Sequence, residues 1–361
     1  MQIPFLNFER EVEELIKIGL MTDIENVIRS GCFLFGPKMG ELEMKLSELF
    51  ERPVVMVGSG TDALALSLKA LGIGNGDLVA VPMLSAIPTA IAVKMIGAKP
   101  IYVDVDGSFT MDPERLRSIV AKHDIKAVIP VHLYGNPANI VQIKTICQEN
   151  NLVLIEDCAQ SFGARGRSGW FGTYGMAGAF SFYCSKNLGA FGDAGCIVAG
   201  DENLAQALRE LRFYGQKSKN EMGKFVGMNS RADEIQCVIL LKKLQILPAL
   251  LEKRLEMKEA YDKALTETPF WTPEWHKGAM PHLYPIACEN RKDVINKLSE
   301  RGIETAIHYP FHLEEVVESK PACGEFSMAK QYSKKILSIP FSPWMTQEEI
   351  DYVLTSLKEI K

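Results

Sequence analysis

The segment SFYCSKNLGAFGDAG, residues 181–195, sets a single lysine, Lys186, between an aromatic, strand-like run and a glycine-rich turn. A lysine that is partly desolvated and close to other cationic groups loses its proton more easily. It becomes a nucleophile able to form a Schiff base with an aldehyde; the plainer role is to cap a carbonyl. Two other stretches carry comparable chemistry. In GSGTDALALSL, 58–68, small residues lead into a helix whose free N–H groups and positive dipole end suit a phosphate, unless Ser59 or Thr61 merely caps it. In NLVLIED, 151–157, an apolar strand ends in Glu156 and Asp157 and runs into CAQSFG. An acidic residue there directs a carboxylate into a ligand crevice, where it can hold a protonated ring nitrogen by a charge-assisted bond, or else caps the next helix.

These residues need a scaffold that brings strand ends together, and the surrounding pattern supplies one. Short runs rich in Val and Ile alternate with helical stretches: PVVMVG then TDALALSLKALG, LVAVP then AIPTAIAVKMIG, KPIYVDVD then PERLRSIVAKH, KAVIPVHLYG then ANIVQIKTICQEN, and finally NLVLIED. Such alternation reads as a mainly parallel α/β sheet. AGAFSFYC and AGCIVAG flank the lysine segment as further strands. Ligands of parallel sheets collect outside the carboxyl ends of the strands, which is where Gly60, Thr61, Asp157, Ser181 and Lys186 fall.

An amphipathic helix over about 8–29 and a second helical pattern through ELEMKLSELF precede the sheet, and a long helical region from about 232 to 266, interrupted at Pro248, follows it. Beyond that the pattern mixes strand and helix in HLYPIAC, DVINKLSERG and GIETAIHYP, then closes with two helical stretches. The change places a domain boundary near residue 246. Residues 1–245 would form a large α/β domain with N-terminal helices, and residues 246–361 a smaller α+β domain.

Composition narrows the function. A chain of 361 residues, 47% of them hydrophobic, is long enough for two compact domains or one large domain with an appendage. The formal charge of −5, from 40 basic and 45 acidic residues with no basic run at either end, gives no support for a nucleic-acid or anionic-membrane surface. Eight cysteines are scattered without a CxxC pair or a histidine at ligand spacing, which argues against a zinc site and for reduced thiols. The N-terminal MQIPFLNFEREVEELIKIG has early acidic residues and no apolar signal core, and no segment reaches the roughly 20 apolar residues of a membrane span. The expectation is a cytoplasmic protein with no metal, membrane or nucleic-acid partner.

A phosphate cradle, a carboxylate for a ring nitrogen and a Schiff-base lysine at the strand ends of one sheet together match the needs of pyridoxal 5'-phosphate. At this point the chain resembles the DegT/StrS-type (DegT/DnrJ/EryC/StrS) sugar aminotransferases, a branch of the fold-type I pyridoxal-phosphate enzymes, from about Gly31 to the C-terminal helix. The motifs that carry the likeness are GSGTDALALSLKALGIGNGD (58–77), GAKPIYVDVD (97–106), VIPVHLYGNPANI (128–140), LIEDCAQSFGA (154–164), AGAFSFYCSKNLGAFGDAG (177–195), GMNSRADEIQCVIL (227–240) and RGIETAIHYP (301–310).

The resemblance implies a mainly parallel, seven-stranded sheet in a large domain beside a smaller α+β C-terminal domain. It implies that Lys186 carries the cofactor and shuttles protons, that Asp157 partners the pyridine nitrogen, and that Gln160 lies by the ring and its phenolic oxygen. Backbone N–H groups of Gly60 and Thr61 with the Ser181 hydroxyl would hold the phosphate. Asn229 would reach the phosphate of the neighbouring subunit, which implies a homodimer with shared active sites. The implied activity moves an amino group from glutamate, or a similar donor, to a nucleotide-linked keto-sugar in amino-sugar, surface-polysaccharide or natural-product biosynthesis. Members that dehydrate sugars have a histidine at the lysine position. Amination of a non-nucleotide cyclitol or carbocyclic precursor is the alternative within enzymes. A regulatory homologue without turnover is the alternative outside them, against which Lys186, Asp157 and Gln160 together argue.

Two departures from the family pattern stand out. A gap-free reading from Pro82 to Asp104 puts Ala86 where the family usually has an aromatic residue over the pyridine ring. HYP is followed by FHLEEV rather than a PIPLH-like run, which shortens the loop after Pro310. His132 and His308 are read as histidines satisfied by a neighbouring carbonyl and are left out of the catalytic set. Arg231 suits either a salt bridge within the dimer or a nucleotide diphosphate.

Overall fold

The computed structural model describes residues 1–218, 221–223, 225–318 and 327–360. Its strands are β1 (Val54–Val57), β2 (Leu78–Pro82), β3 (Lys99–Val103), β4 (Ile125–Val128), β5 (Val153–Asp157), a small hairpin of β6 (Arg165–Gly166) and β7 (Gly169–Trp170), then β8 (Ala177–Ser181) and β9 (Gly195–Ala199). A second hairpin, β10 (Gln216–Ser218) and β11 (Glu221–Met222), precedes β12 (Tyr284–Ala287) and β13 (Ile336–Ile339). Seven strands make the central sheet in the order β1-β9-β8-β5-β4-β2-β3. Only β9 runs against its neighbours; every other pairing in that sheet is parallel. The alternating strand and helix rhythm is thus realised as an α/β sheet whose parallel strand ends all point one way.

The period of two along β1 divides its side chains between two cores. Val55 and Val57 face the layer that holds Ala63, Leu64 and Leu66, whereas Val54 and Met56 face the layer that holds Leu42, Leu46 and Cys237. With both faces covered, the strands are almost wholly apolar, as a parallel sheet requires.

The helices are α1 (Phe8–Lys17), α2 (Leu20–Ser30), α3 (Pro37–Phe50), α4 (Gly60–Ala70), α5 (Ile87–Met95), α6 (Pro113–Val120), α7 (Ile140–Glu149), α8 (Glu202–Leu211), α9 (Glu234–Leu265), α10 (Arg291–Glu300), the single turn α11 (Leu313–Val316), α12 (Met328–Lys335) and α13 (Gln347–Lys358). Three of them correct the sequence reading. The helix expected over 8–29 is two helices, because Gly19 takes a left-handed conformation at φ +92° that ends α1 and starts α2. The interruption expected at Pro248 is absent: α9 continues through it for 32 residues. A proline removes one N–H from the helical ladder, and here the packing of α9 on α2, α3 and α13 holds the turns on either side. The two closing helical stretches, α12 and α13, have β13 between them. Its ILSI run follows Lys335, the last residue of α12, with no breaker between, so it reads as a continuation of the helix.

β12 and β13 pair antiparallel and are covered by α9, α10 and α13 through Met257, Tyr261, Leu298, Val353 and Leu357. The chain's first residues join this core. Ile3 is bridged in parallel to Ile303, and the Phe5 N–H donates to Glu304 Oε2 at 3.0 Å. Position 246 lies inside α9, which links this core to the sheet. Seven cysteines are free thiols, five of them buried; Cys323 falls outside the described residues. No helix among the described residues is long and apolar enough to cross a membrane.

Candidate active site

Since β1 and β8 run parallel with β9 between them, their carboxyl ends lie side by side. The Ser59 hydroxyl caps α4 by accepting the Asp62 N–H at 3.1 Å, so the helix opens at Gly60. The N–H groups of Gly60 and Thr61 lie in the first turn, where no intrahelical acceptor exists. Ser181 ends β8 directly opposite. A Cβ placed on Gly60 would stand 2.8 Å from Ser181 Cβ, so only glycine allows the two strand ends this approach. Between them opens a cavity of about 250 Å³ to which Gly60, Thr61, Ser181, Asp157, Gln160 and Lys186 all contribute. A larger open cleft of about 740 Å³, with Arg52, Gly175 and Gly200 in its wall, lies at the other end of the sheet, where the parallel strands begin.

Asp157 ends β5, the neighbour of β8, and is buried. Its carboxylate accepts Thr89 Oγ1–H at 2.8 Å and the Ala159 N–H at 3.1 Å, and Thr89 is in turn paired with Ser85 at 3.0 Å. Burial raises the Asp157 pKa; the bonds from Ala159 and Thr89 and the charge of Lys186 oppose the rise. Glu156, one residue back, makes its contacts elsewhere. It accepts the N–H groups of Gly172 (2.9 Å), Tyr174 (2.7 Å) and Gly175 (2.8 Å), with His132 Nε2 at 3.1 Å. His132 Nδ1 accepts the Ala138 N–H at 3.0 Å, so Nε2 carries the proton given to Glu156. His132 is therefore satisfied by a carboxylate and an amide rather than by the carbonyl expected for it. The donor atoms of His132, Glu156 and Cys158 lie within 4.8 Å of one another, but the Ala138 bond takes the free lone pair of the imidazole.

Lys186 sits in the turn after β8, its N–H bonded to the Tyr183 carbonyl at 2.8 Å. The residue is half-buried, and the protein packed around its amine lowers the pKa to about 8 against the opposing charge of Asp157. Burial and the Lys186 charge also push the His308 pKa down to about 4, which leaves that ring neutral at pH 7. Its Nδ1 pairs with the Ser338 hydroxyl at 3.0 Å, again not with a carbonyl. Gln160 is buried, with Oε1 accepting the Tyr134 N–H at 2.6 Å and Nε2 donating to the Tyr309 hydroxyl at 2.9 Å. Thr89, Tyr134 and Tyr309 escaped the sequence reading. Tyr309 stands in the RGIETAIHYP motif, but nothing in the spacing says that its hydroxyl reaches Gln160.

Ala86 occupies the N-cap position of α5, without a side-chain capping bond, and lines the cavity. Asn229 is exposed and does not line it; this residue is bridged to Phe213, while its neighbour Ser230 accepts the Gly58 N–H at 2.9 Å and donates to Asp62 at 2.7 Å. Arg231 lies over the rings of Phe35 (5.7 Å), Phe213 (5.9 Å) and Tyr214 (6.0 Å). After Pro310 the chain enters α11 within three residues.

The DegT/DnrJ/EryC1/StrS aminotransferase family model matches residues 16–358. The chain belongs to this family. An erythromycin biosynthesis sensory transduction protein, EryC1, of Saccharopolyspora erythraea is 38% identical over 99% of this chain and 99% of its own length. A dTDP-3-amino-3,4,6-trideoxy-alpha-D-glucose transaminase of Streptomyces venezuelae is 34% identical over 99% and 96%. A crystal structure of a family member from Brucella abortus superposes with a TM-score of 0.94 at 32% identity, covering 99% of both chains. The Bacillus subtilis protein ntda, solved with bound cofactor pmp, gives 0.90 at 30% identity over 99% of this chain and 84% of that one. The family's reaction is amino transfer and its cofactor pyridoxal 5'-phosphate. The residues present fit that group: a glycine-opened helix start facing a serine for the phosphate, a buried carboxylate in the same cavity, and an amine whose pKa burial lowers to about 8.

Proposed function

We propose that this DegT-family chain moves an amino group from glutamate, or a chemically similar donor, to a keto-sugar carried on a nucleotide. The observation that carries the reading is one cavity shared by a lysine of lowered pKa, a buried carboxylate and a helix start that faces a serine. When bound, pyridoxal phosphate supplies the aldehyde and an electron sink. Asp157 holds its charge toward a protonated ring nitrogen. The Gly60 and Thr61 N–H groups and the Ser181 hydroxyl hold the phosphate. Gln160 borders the ring, and Lys186 anchors the group, then takes and returns the substrate proton. The nucleotide-linked acceptor is supported by what the Streptomyces relative is named for. The regulatory alternative has the Saccharopolyspora relative's name behind it, but a regulator has no need of an amine kept so close to its deprotonation point.

The working unit in this reading is a homodimer in the cytoplasm, with Asn229 serving the partner's phosphate site. Exposed Phe33, Phe35, Tyr214 and Val226 on the segments around Arg231 give a surface of the kind that subunits cover. The division near residue 246 into a large cofactor domain and a small C-terminal domain belongs to the same reading. Borohydride reduction of the loaded protein followed by peptide mapping should place the pyridoxyl group on Lys186, and a panel of nucleotide keto-sugars with glutamate should yield an aminated product. A label on another lysine would sink the site. Labelled Lys186 with no turnover of any nucleotide sugar would sink the acceptor.

A further inference from the structure

We infer that Tyr309 is a positioning residue for amino transfer, acting through Gln160: its phenolic oxygen accepts one Nε2–H and so holds in place an amide whose orientation the Tyr134 N–H sets, leaving the other N–H for the cavity. The inference rests on reading that cavity as the cofactor site.

A primary amide has two N–H donors and one acceptor oxygen, and in Gln160 nearly all of this capacity is committed. Oε1 takes the Tyr134 N–H at 2.6 Å, and one Nε2–H goes to Tyr309 Oη at 2.9 Å. The Tyr134 hydroxyl donates to the carbonyl of His308, the residue before Tyr309. Three hydrogen bonds thus close a ring through Tyr134, Gln160 and the His308–Tyr309 pair. Turning the amide over would set Nε2 against the Tyr134 N–H, donor against donor, so the ring admits one orientation. The second Nε2–H is the group left over, on a side chain that lines the same cavity as Asp157 and Lys186. Burial and the nearby Asp157 charge raise the Tyr309 pKa to about 12, so the phenol stays neutral at working pH. The ring also joins segments far apart in the chain: Tyr134 follows β4, Gln160 follows β5, and Tyr309 comes from the stretch bridged to the N-terminus.

The test is a pH titration of the visible absorbance of the pyridoxal-phosphate-loaded protein. An N–H donated to an oxygen of the chromophore stabilises its deprotonated form, so loosening Gln160 makes the chromophore hold its proton to higher pH. Tyr309→Phe keeps the aromatic ring and removes Oη. It should move the absorbance midpoint up by about half a pH unit, the scale of one modest hydrogen bond. Gln160→Ala should move it the same way and further. Adding Tyr309→Phe to Gln160→Ala should change nothing more, since the effect passes through the amide. An unmoved midpoint in Tyr309→Phe, or an equal shift in both backgrounds, would overturn the inference. If Tyr309→Phe does not fold, Tyr309→Met, which also lacks Oη and so removes the same bond to Gln160, is judged by the same rule. A parent protein that develops no chromophore would refute the cofactor reading itself, and this inference with it; a coloured parent with an unmoved variant refutes the inference alone.

Discussion

An amine that titrates near pH 8 rather than 10.5 is half free under mildly alkaline conditions, and this makes Lys186 testable before any substrate is known. Uptake of pyridoxal phosphate by the cofactor-free protein should rise with pH around a midpoint of about 8. Asp157→Asn removes the charge that holds the amine's pKa up, so it should move that midpoint lower; a midpoint near 10.5 in the parent would refute the buried-amine account. The stability linkage has a definite sign. Between about pH 8 and 10.5 the unfolded chain binds the proton that the folded chain has lost, so stability rises with pH across that window. Gly60→Ala places a methyl 2.8 Å from Ser181 Cβ and should weaken cofactor retention by ~10-fold, about 1.4 kcal/mol, as read by equilibrium dialysis. Ala86→Tyr, adding an aromatic face at the cavity wall, should tighten retention by ~0.5–1.5 kcal/mol unless it overpacks; equal or weaker retention by a folded variant would mean that the ring is already covered. That Gly60, Thr61, Asp157, Gln160, Ser181 and Lys186 come together at one cavity was legible because Asp157 and Ser181 end strands, Gly60 and Thr61 open a helix, and Gln160 and Lys186 follow strand ends in recognisable motifs. Thr89 and Tyr309 were not, since each hydroxyl reaches its partner from another element, and local spacing is silent about such contacts.

Among the elements, the strands of the sheet were readable because burial on both faces leaves unbroken apolar runs, and the helices between them because of their own period. Errors fell where one residue outweighs the pattern. Gly19 splits a helix that amphipathicity would continue, Pro248 is tolerated where its type says stop, and β13 begins at Ile336 with no breaker after α12 to announce it. Another element contact lay beyond sequence reading altogether. Glu234, at the start of α9, accepts the N–H groups of Gly36 (3.1 Å), Lys38 (2.8 Å) and Met39 (2.8 Å), and so caps α3 from 195 or more residues away. It is buried, so Glu234→Ala would strand three amide donors together. The expected loss is about 3 kcal/mol, seen as a lower denaturant midpoint. A change within error would mean that water or a rearranged α3 replaces the carboxylate.

For the whole molecule, the question is whether one chain makes a complete site. Asn229 does not line the cavity of its own chain and is exposed beside an aromatic surface, which suits a role across a two-fold axis. Mixing inactive Lys186→Ala and Asn229→Ala proteins should restore part of the activity, because one of the two sites in each mixed dimer then draws both residues from intact chains. No recovery despite demonstrated subunit exchange would argue for self-contained sites. Only the resemblance of GMNSRADEIQ to its family counterpart pointed to this arrangement, since no pattern within a single chain encodes a neighbour. The bridge between Ile3 and Ile303 has a practical consequence for handling the protein. The stretch that delivers His308 and Tyr309 leans on Ile3 and Phe5, so proteolysis or a bulky insertion beside these residues would act as an unintended modulator of the active centre. A drift in the colour of the loaded protein on storage would then report cleavage beside Ile3 before any change of mass is visible on a gel.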